Sequence, residues 1–412
     1  MKILIATSSF KNGGITSYAH EIIELLSKDH FVYVIIGDDS RAPINYPNVR
    51  VFYYETTDVS IKNSKSILDI INNDIKPNII INSNALVISL ISPYINNMVR
   101  IISVSHSLRY NEADVAAFNG KYVDKIVALS IYNKNYLERK FNFKMRNKII
   151  VIYNFINEHT NSELILSKKT QNSPIKIVFA GGGAPSKNPD LVMSILDKLL
   201  STTLSFLFYW IGNTNPPFKK FQRFKKIEEL LPYDKRVVFT DKLSREDAIK
   251  IISEANIFLI PSRREGCPMA LLEAMSFGTI TITGDYKNAC REIIEKENAG
   301  FVLPHKSTQA FVDLIISIIQ NHSKYKHIYD LSLTTYKKHL STEVWKEKMF
   351  DLIDCSNFDH KQRKSFSIKK YYMDVVCWKI VAFLNNIHLM CFEVLKSAIP
   401  FYLRNLKKNY NV

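Results

Sequence analysis

Pro261-Ser262-Arg263-Arg264-Glu265-Gly266-Cys267-Pro268-Met269-Ala270-Leu271-Leu272-Glu273 is the stretch that decides how this 412-residue chain folds. Just upstream, Ala255-Asn256-Ile257-Phe258-Leu259-Ile260 is a short apolar run of the kind found in strands covered on both faces. Downstream, Met269 to Phe277 carries a helical pattern that Gly278 ends, and Pro268 stands where the helix begins. A strand therefore enters a tight turn and leaves it as a helix. One carboxylate, Glu265, lies in the turn, and a second, Glu273, lies eight residues later on the helix. The first amides of a helix lack intrahelical partners and carry partial positive charge, so this tip suits a phosphate. Carboxylates beside it can accept hydrogen bonds from ribose and hexose hydroxyls. Anion seat and hydroxyl acceptors together describe a site for a nucleotide sugar.

Outward from this unit, apolar strand candidates alternate with helical patterns. The first half offers Lys2 to Ala6, Phe31 to Ile36, Val49 to Tyr54, Ile79 to Asn82, Arg100 to Ser105, Lys125 to Leu129 and Ile149 to Ile152. The second offers Ile175 to Phe179, Ser205 to Ile211, Arg236 to Phe239, Ile257 to Ile260, Thr279 to Thr283 and Gly300 to Val302. Helical periodicity marks Thr16 to Ser27, Lys62 to Asn73, Ile131 to Lys140, Pro189 to Leu200, Arg245 to Ser253 and Ser341 to Ile353. Apolar strands without alternation, set between helices, indicate parallel, doubly wound sheets. A polar stretch from Asn157 to Ser173 separates the two series.

Ser262, Glu265-Gly266-Cys267-Pro268 and Glu273-Ala274-Met275, followed by Gly278, resemble the Glu-x7-Glu signature of the retaining glycosyltransferases of family 4, which have the two-domain GT-B fold. The resemblance covers residues 1 to 355. It implies an α/β chain with a Rossmann-like acceptor domain over 1–160, a linker over 161–174 and a nucleotide-sugar domain over 175–340. A helix over 341–355 would return to the first domain, ahead of an extension over 356–412. It also implies that Glu265 holds donor-sugar hydroxyls and Glu273 the ribose, with Gly266, Cys267, Pro268, Met269 and Ala270 against the donor. The expected chemistry is front-face attack with the leaving phosphate as base. The alternatives are another GT-B enzyme, such as an epimerase or phosphorylase, or a non-catalytic sugar-nucleotide-binding partner in a glycosyltransferase complex.

Two glycine-rich loops fit the same picture. Gly13-Gly14 opens a helix after the first strand, where the family faces the donor phosphate and the acceptor. Gly181-Gly182-Gly183 leads through Lys187 to a helix at Asn188-Pro189, where a lysine can neutralise a diphosphate leaving group. The family pairs that lysine with an arginine, and Gly182 stands at the arginine's position here. Either Lys187 and backbone amides hold the diphosphate, or Arg263 or Arg264 contributes. A dinucleotide site would need Gly-x-Gly-x-x-Gly spacing and an acidic residue closing the next strand, and neither is present. His106 ends a strand where the family places a histidine against the transferred sugar. Ser130 is expected to cap the helix that follows, and Asn154 to mark the crossover, with Phe155 where glycine is usual.

The five cysteines are odd in number and without a Cys-x-x-Cys pair, which excludes a disulfide scaffold or zinc ribbon and favours a reducing compartment. Cys267 reads as a small buried thiol. Asp38-Asp39 is not an Asp-x-Asp pair, so no metal and no cofactor are expected beyond the nucleoside diphosphate sugar as co-substrate. The net charge is +16, and residues 361–412 hold ten Lys/Arg against Asp374 and Glu393. This basic, aromatic, amphipathic segment is expected to lie on an anionic membrane surface, or else to pack on protein. No nucleic-acid motif accompanies the charge. No run of 18 uncharged apolar residues suggests a spanning helix. The chain is therefore expected on the inner face of the cytoplasmic membrane, with a glycan or lipid-linked acceptor as its other partner.

Overall fold

The structure, a computed structural model, describes residues 1–7, 14–37, 44–107, 110–141, 145–157, 174–212, 234–354 and 364–386. Seven parallel strands form the first sheet: β1 (Lys2–Thr7), β2 (Phe31–Ile36), β3 (Val49–Tyr53), β4 (Ile79–Ser83), β5 (Arg100–Ser105), β6 (Lys125–Ala128) and β7 (Ile149–Val151). Their order is β3-β2-β1-β4-β5-β6-β7. The second sheet has six parallel strands: β8 (Ile175–Ala180), β9 (Phe206–Ile211), β10 (Val237–Phe239), β11 (Ile257–Ile260), β12 (Ile280–Gly284) and β13 (Gly300–Leu303), ordered β10-β9-β8-β11-β12-β13. Each of the thirteen lies within one residue of its expected bounds. The apolar runs explain this: Ile3, Leu4 and Ile5 in β1 and Ile257, Phe258 and Leu259 in β11 are buried on both faces.

Strand order reverses between β1 and β4 in the first sheet and between β8 and β11 in the second. Open α/β sheets receive ligands at the carboxyl ends of strands beside such a reversal. The two lobes are thus GT-B-like, with two crevices available to one site.

The helix expected at Lys62 to Asn73 runs as Ile61–Asp69 and then widens into a π turn, Ile70–Ile75, closed by Lys76 at a left-handed φ of 49°. The last helix of the two-lobe unit, Thr342–Asp354, crosses back to the first lobe. Trp345 stacks on Phe155 at 4.3 Å, and Arg100 of β5 donates to the carbonyls of Leu352 and Ile353 at 3.2 and 2.6 Å. A guanidinium at a helix carboxyl end meets both the unpaired carbonyls and the negative end of the dipole. One apolar core runs through Tyr18, Phe155, Trp345, Cys267 and Met269, so the lobes share an interior.

Over its described part, the extension packs on protein, one of the two expected placements. Asp374 is buried and ion-paired with Lys370. The helix Ile368–Asn386 docks on the first lobe. Tyr371 shares a 2.5 Å hydrogen bond with Ser64 and donates to the carbonyl of Val59 at 3.0 Å. Trp378 meets Phe118 edge-on at 5.3 Å, and Phe366 meets Tyr94 at 4.9 Å. These aromatic rings fill protein pockets. Residues 361–363 and 387–412, the linker residues 158–173, Gly13 and Asp38-Asp39 lie outside the described residues. Among the described residues, no helix is long and apolar enough to cross a membrane.

Candidate active site

The turn after β11 carries Glu265 and the turn after β8 carries Lys187. They meet as an ion pair, Lys187 Nζ to Glu265 Oε1, at 2.6 Å, with the carboxylate largely buried and the ammonium about one-third exposed. Lys187 closes a short 3₁₀ turn, Pro185–Lys187, and Asn188 then takes a left-handed φ of 58° before the helix Pro189–Leu200. Asparagine tolerates that conformation at little cost. Arg263 braces this loop. Its amide donates to the carbonyl of Ser186 at 2.8 Å and its guanidinium to Asn188 Oδ1 at 2.9 Å.

Gly181 and Gly182 both donate their amides to the carbonyl of Ile211, at 3.1 and 3.3 Å. Those two amides are therefore committed to the strand end, and Lys187 is the charge that this loop presents. Gly212, at a φ of +114°, packs so closely that an added Cβ would lie 2.8 Å from the Gly182 nitrogen. Only a glycine fits there on either count.

The helix Met269–Ser276 begins at Pro268, and no side chain caps it. Cys267 is buried, and burial pushes its thiol up to about 12, so it is neutral packing rather than a nucleophile. Asn154 Nδ2, at the crossover, donates to the carbonyl of Cys267 at 2.6 Å and pins the turn to the first lobe.

Gly266 shows how near the lobes come. A Cβ placed on it would lie 2.0 Å from the carbonyl oxygen of His106. His106 leaves β5, shares a 2.8 Å hydrogen bond through Nε2 with Ser83 at the end of β4, and meets Tyr18 edge-on at 4.8 Å. Burial lowers its pKa to about 3, which keeps the imidazole neutral at physiological pH. Gly14 begins the helix Gly14–Leu26 in an exposed position.

Glu273, on the second turn of its helix, faces a different set of partners. Its Oε1 lies 3.7 Å from Arg245 Nε, and Arg245 is also ion-paired with Glu21 of helix Gly14–Leu26. Burial pushes Glu273 up, and the Arg245 charge opposes that shift. Lys187, Glu265, Gly266, Cys267 and His106 thus converge, while Glu273 stands along the same helix beside Arg245.

Ser83, Arg245, Glu21 and Glu292 were not anticipated. Ser83 ends a strand at the sheet's reversal, a position that sequence order alone could have flagged. Glu292 has no sequence signal. Its carboxylate accepts from the amides of Ile131, at 3.0 and 2.9 Å, and Tyr132, at 3.4 Å, and from the Tyr153 hydroxyl at 2.5 Å. An acid from the second lobe thereby joins Ser130, as expected, in capping a first-lobe helix.

Residues 144–330 match the family model described as "Glycosyl transferases group 1". Over 193 residues, the chain is 25% identical to a glycogen synthase of Clostridium perfringens, spanning 46% of this chain and 35% of that one. The match therefore covers only about a third of that relative's length. Among solved structures, Anabaena Alr3699/HepE in complex with UDP superposes with a TM-score of 0.69 at 16% identity, covering 86% of this chain and 99% of that one. The apo lipopolysaccharide outer core galactosyltransferase WaaB gives 0.62 at 18% identity, covering 86% and 99%. These likenesses show the fold alone, a two-lobe GT-B architecture. The ion pair Lys187–Glu265 and the carboxylate Glu273 both fall inside the matched residues.

Proposed function

We propose that this chain is a retaining hexosyltransferase that moves a sugar from a nucleoside diphosphate donor to a glycan or lipid-linked acceptor in cell-surface polysaccharide synthesis. The observation that carries the proposal is the 2.6 Å pairing of Lys187 with Glu265 at the open tip of helix Met269–Ser276, directly across from His106. Breaking the anomeric carbon–diphosphate bond builds positive charge on the sugar and negative charge on the leaving oxygen. Lys187 has three donors and can meet that oxygen, together with the amides at the helix tip; one such donor contributes roughly 3 kcal/mol. Glu265 then accepts from donor-sugar hydroxyls, and neutral His106, its Nε2 occupied by Ser83, orients the sugar from the first lobe. Glu273 takes the ribose. Charge at the diphosphate is met by side chain and backbone, so no metal is required. Neighbours crystallised with UDP support a uridine nucleotide as the first donor class to test.

One observation favours a second reading. Gly182 replaces the arginine that the family pairs with the lysine, and its amide is committed to Ile211. A binding partner without turnover would be built this way. A screen of nucleotide sugars for transfer and thermal stabilisation separates the two; stabilisation without turnover in any donor would select the second. The membrane contact belongs to residues 387–412 on this proposal, since Ile368–Asn386 is engaged with protein.

A further inference from the structure

Arg245 is the first residue of the helix Arg245–Glu254, where a cation opposes the helix dipole and acidic residues such as Glu246 and Asp247 are the ordinary occupants. What it faces accounts for its place. Its guanidinium pairs closely with Glu21 and stands 3.7 Å from Glu273, and both carboxylates are nearly buried. Glu21 uses its other oxygen to accept the Asn157 amide, at the crossover, at 2.9 Å. Two buried acids on opposite lobes therefore share one guanidinium. Among the described residues, His20, Glu24 and Tyr46 are further titratable groups around it. Burial and Arg245 push His20 down, so it stays neutral near pH 7.

We propose that Arg245 is the positioning residue that keeps Glu273 an ionised acceptor for the donor's ribose and ties it, through Glu21, to the first lobe. This rests on the ribose role proposed for Glu273. At 3.7 Å the guanidinium supplies charge on the Oε1 side of the carboxylate, and Oε2 is the oxygen to meet a diol. An arginine suits this task because it does not lose its proton when desolvated. Glu21 acts in the opposite sense, since its negative charge makes ionisation of Glu273 harder.

UDP affinity, measured by titration calorimetry between pH 5.5 and pH 8.5, tests the proposal, with GDP and ADP run alongside as probes. Arg245→Met is expected to weaken UDP binding about tenfold at pH 6, the loss shrinking as pH rises, because a charged acceptor bonds more strongly than a neutral one. Arg245→Lys should recover most of the affinity lost at pH 6, because it restores a positive charge beside Glu273. Glu21→Gln should move the inflection to lower pH, opposite to Arg245→Met. A purely structural role would shift neither inflection, or both the same way, and either result overturns the proposal. Should Arg245→Met not fold, an unmoved Glu21→Gln profile overturns it on its own. Wild type binding 2′-deoxy-UDP as tightly as UDP would instead defeat the ribose role. Discrimination between the two, with unshifted variants, defeats only the role of Arg245.

Discussion

Gly266→Ala tests the closeness of the two lobes. Gly266 does not adopt a positive φ, so alanine costs nothing in backbone conformation there. The cost is space. The added Cβ would sit 2.0 Å from the His106 carbonyl oxygen and 2.7 Å from its carbon. Carbon–oxygen contacts of this kind settle at about 3.3 Å, so the lobes must part by over about 1 Å at this point. Both clashing atoms belong to backbone, and no rotamer change relieves them. Overpacking of this size costs about 1–3 kcal/mol. A misplacement of about 1 Å between groups that must act together lowers turnover about a hundredfold. Lys187, Glu265 and Glu273 all sit on the second lobe, so nucleotide affinity should change by no more than about threefold. Thermal unfolding, UDP titration and turnover of the best donor from the screen read out the three effects. Gly14→Ala, which meets nothing within 4 Å, serves as the stability control. A Gly266→Ala protein with unchanged melting temperature and full turnover would refute the closed geometry.

Lys187→Ala removes the counter-charge from Glu265 and the donor to the leaving oxygen; turnover should fall about 10²–10³-fold with the fold retained, as followed by initial rates and circular dichroism. Because burial depresses the His106 pKa from 6.5 to about 3, the unfolded chain binds its proton first. Stability from this group is therefore present above about pH 6.5 and is lost as pH falls towards 3, by at most about 1.4 kcal/mol per pH unit. His106→Gln should flatten the decline in urea midpoint between pH 7 and pH 5, and equal declines would contradict the neutral, buried imidazole. Phe155→Gly, restoring the family's residue, should cost about 3–5 kcal/mol by opening a void beneath Trp345, measurable by urea unfolding. Removing residues 387–412 should release the protein from anionic liposomes, and retained binding would assign the contact elsewhere.

The strands and the converging turns were legible because they depend on local patterns: unbroken apolar runs, glycine pairs, and a proline at a helix start. The helix Leu86–Ile91 escaped notice because Leu86-Val87-Ile88-Ser89-Leu90-Ile91 is apolar on every side, which gives no period to read. The helices Ala289–Glu297, Thr308–Gln320 and Lys326–His339 were not placed either, although the first has an asparagine cap at Asn288. The polar bridges between lobes were beyond reach for another reason. Glu21 and Arg245 are 224 residues apart, and Ile131 and Glu292 161 apart, so no spacing rule connects them. The tail's placement stayed open in the sequence because an amphipathic helix has the same pattern whether its apolar face meets lipid or protein.

That docking of the tail has a bearing on synthesis. The first lobe is translated first, yet Arg100 waits for carbonyls at Leu352 and Ile353, and Ser64 waits for Tyr371. A ribosome must emit most of the second lobe before either partner exists. The amino-terminal half therefore spends that interval with apolar surface uncovered, and its completion waits for the helices Thr342–Asp354 and Ile368–Asn386 to be made.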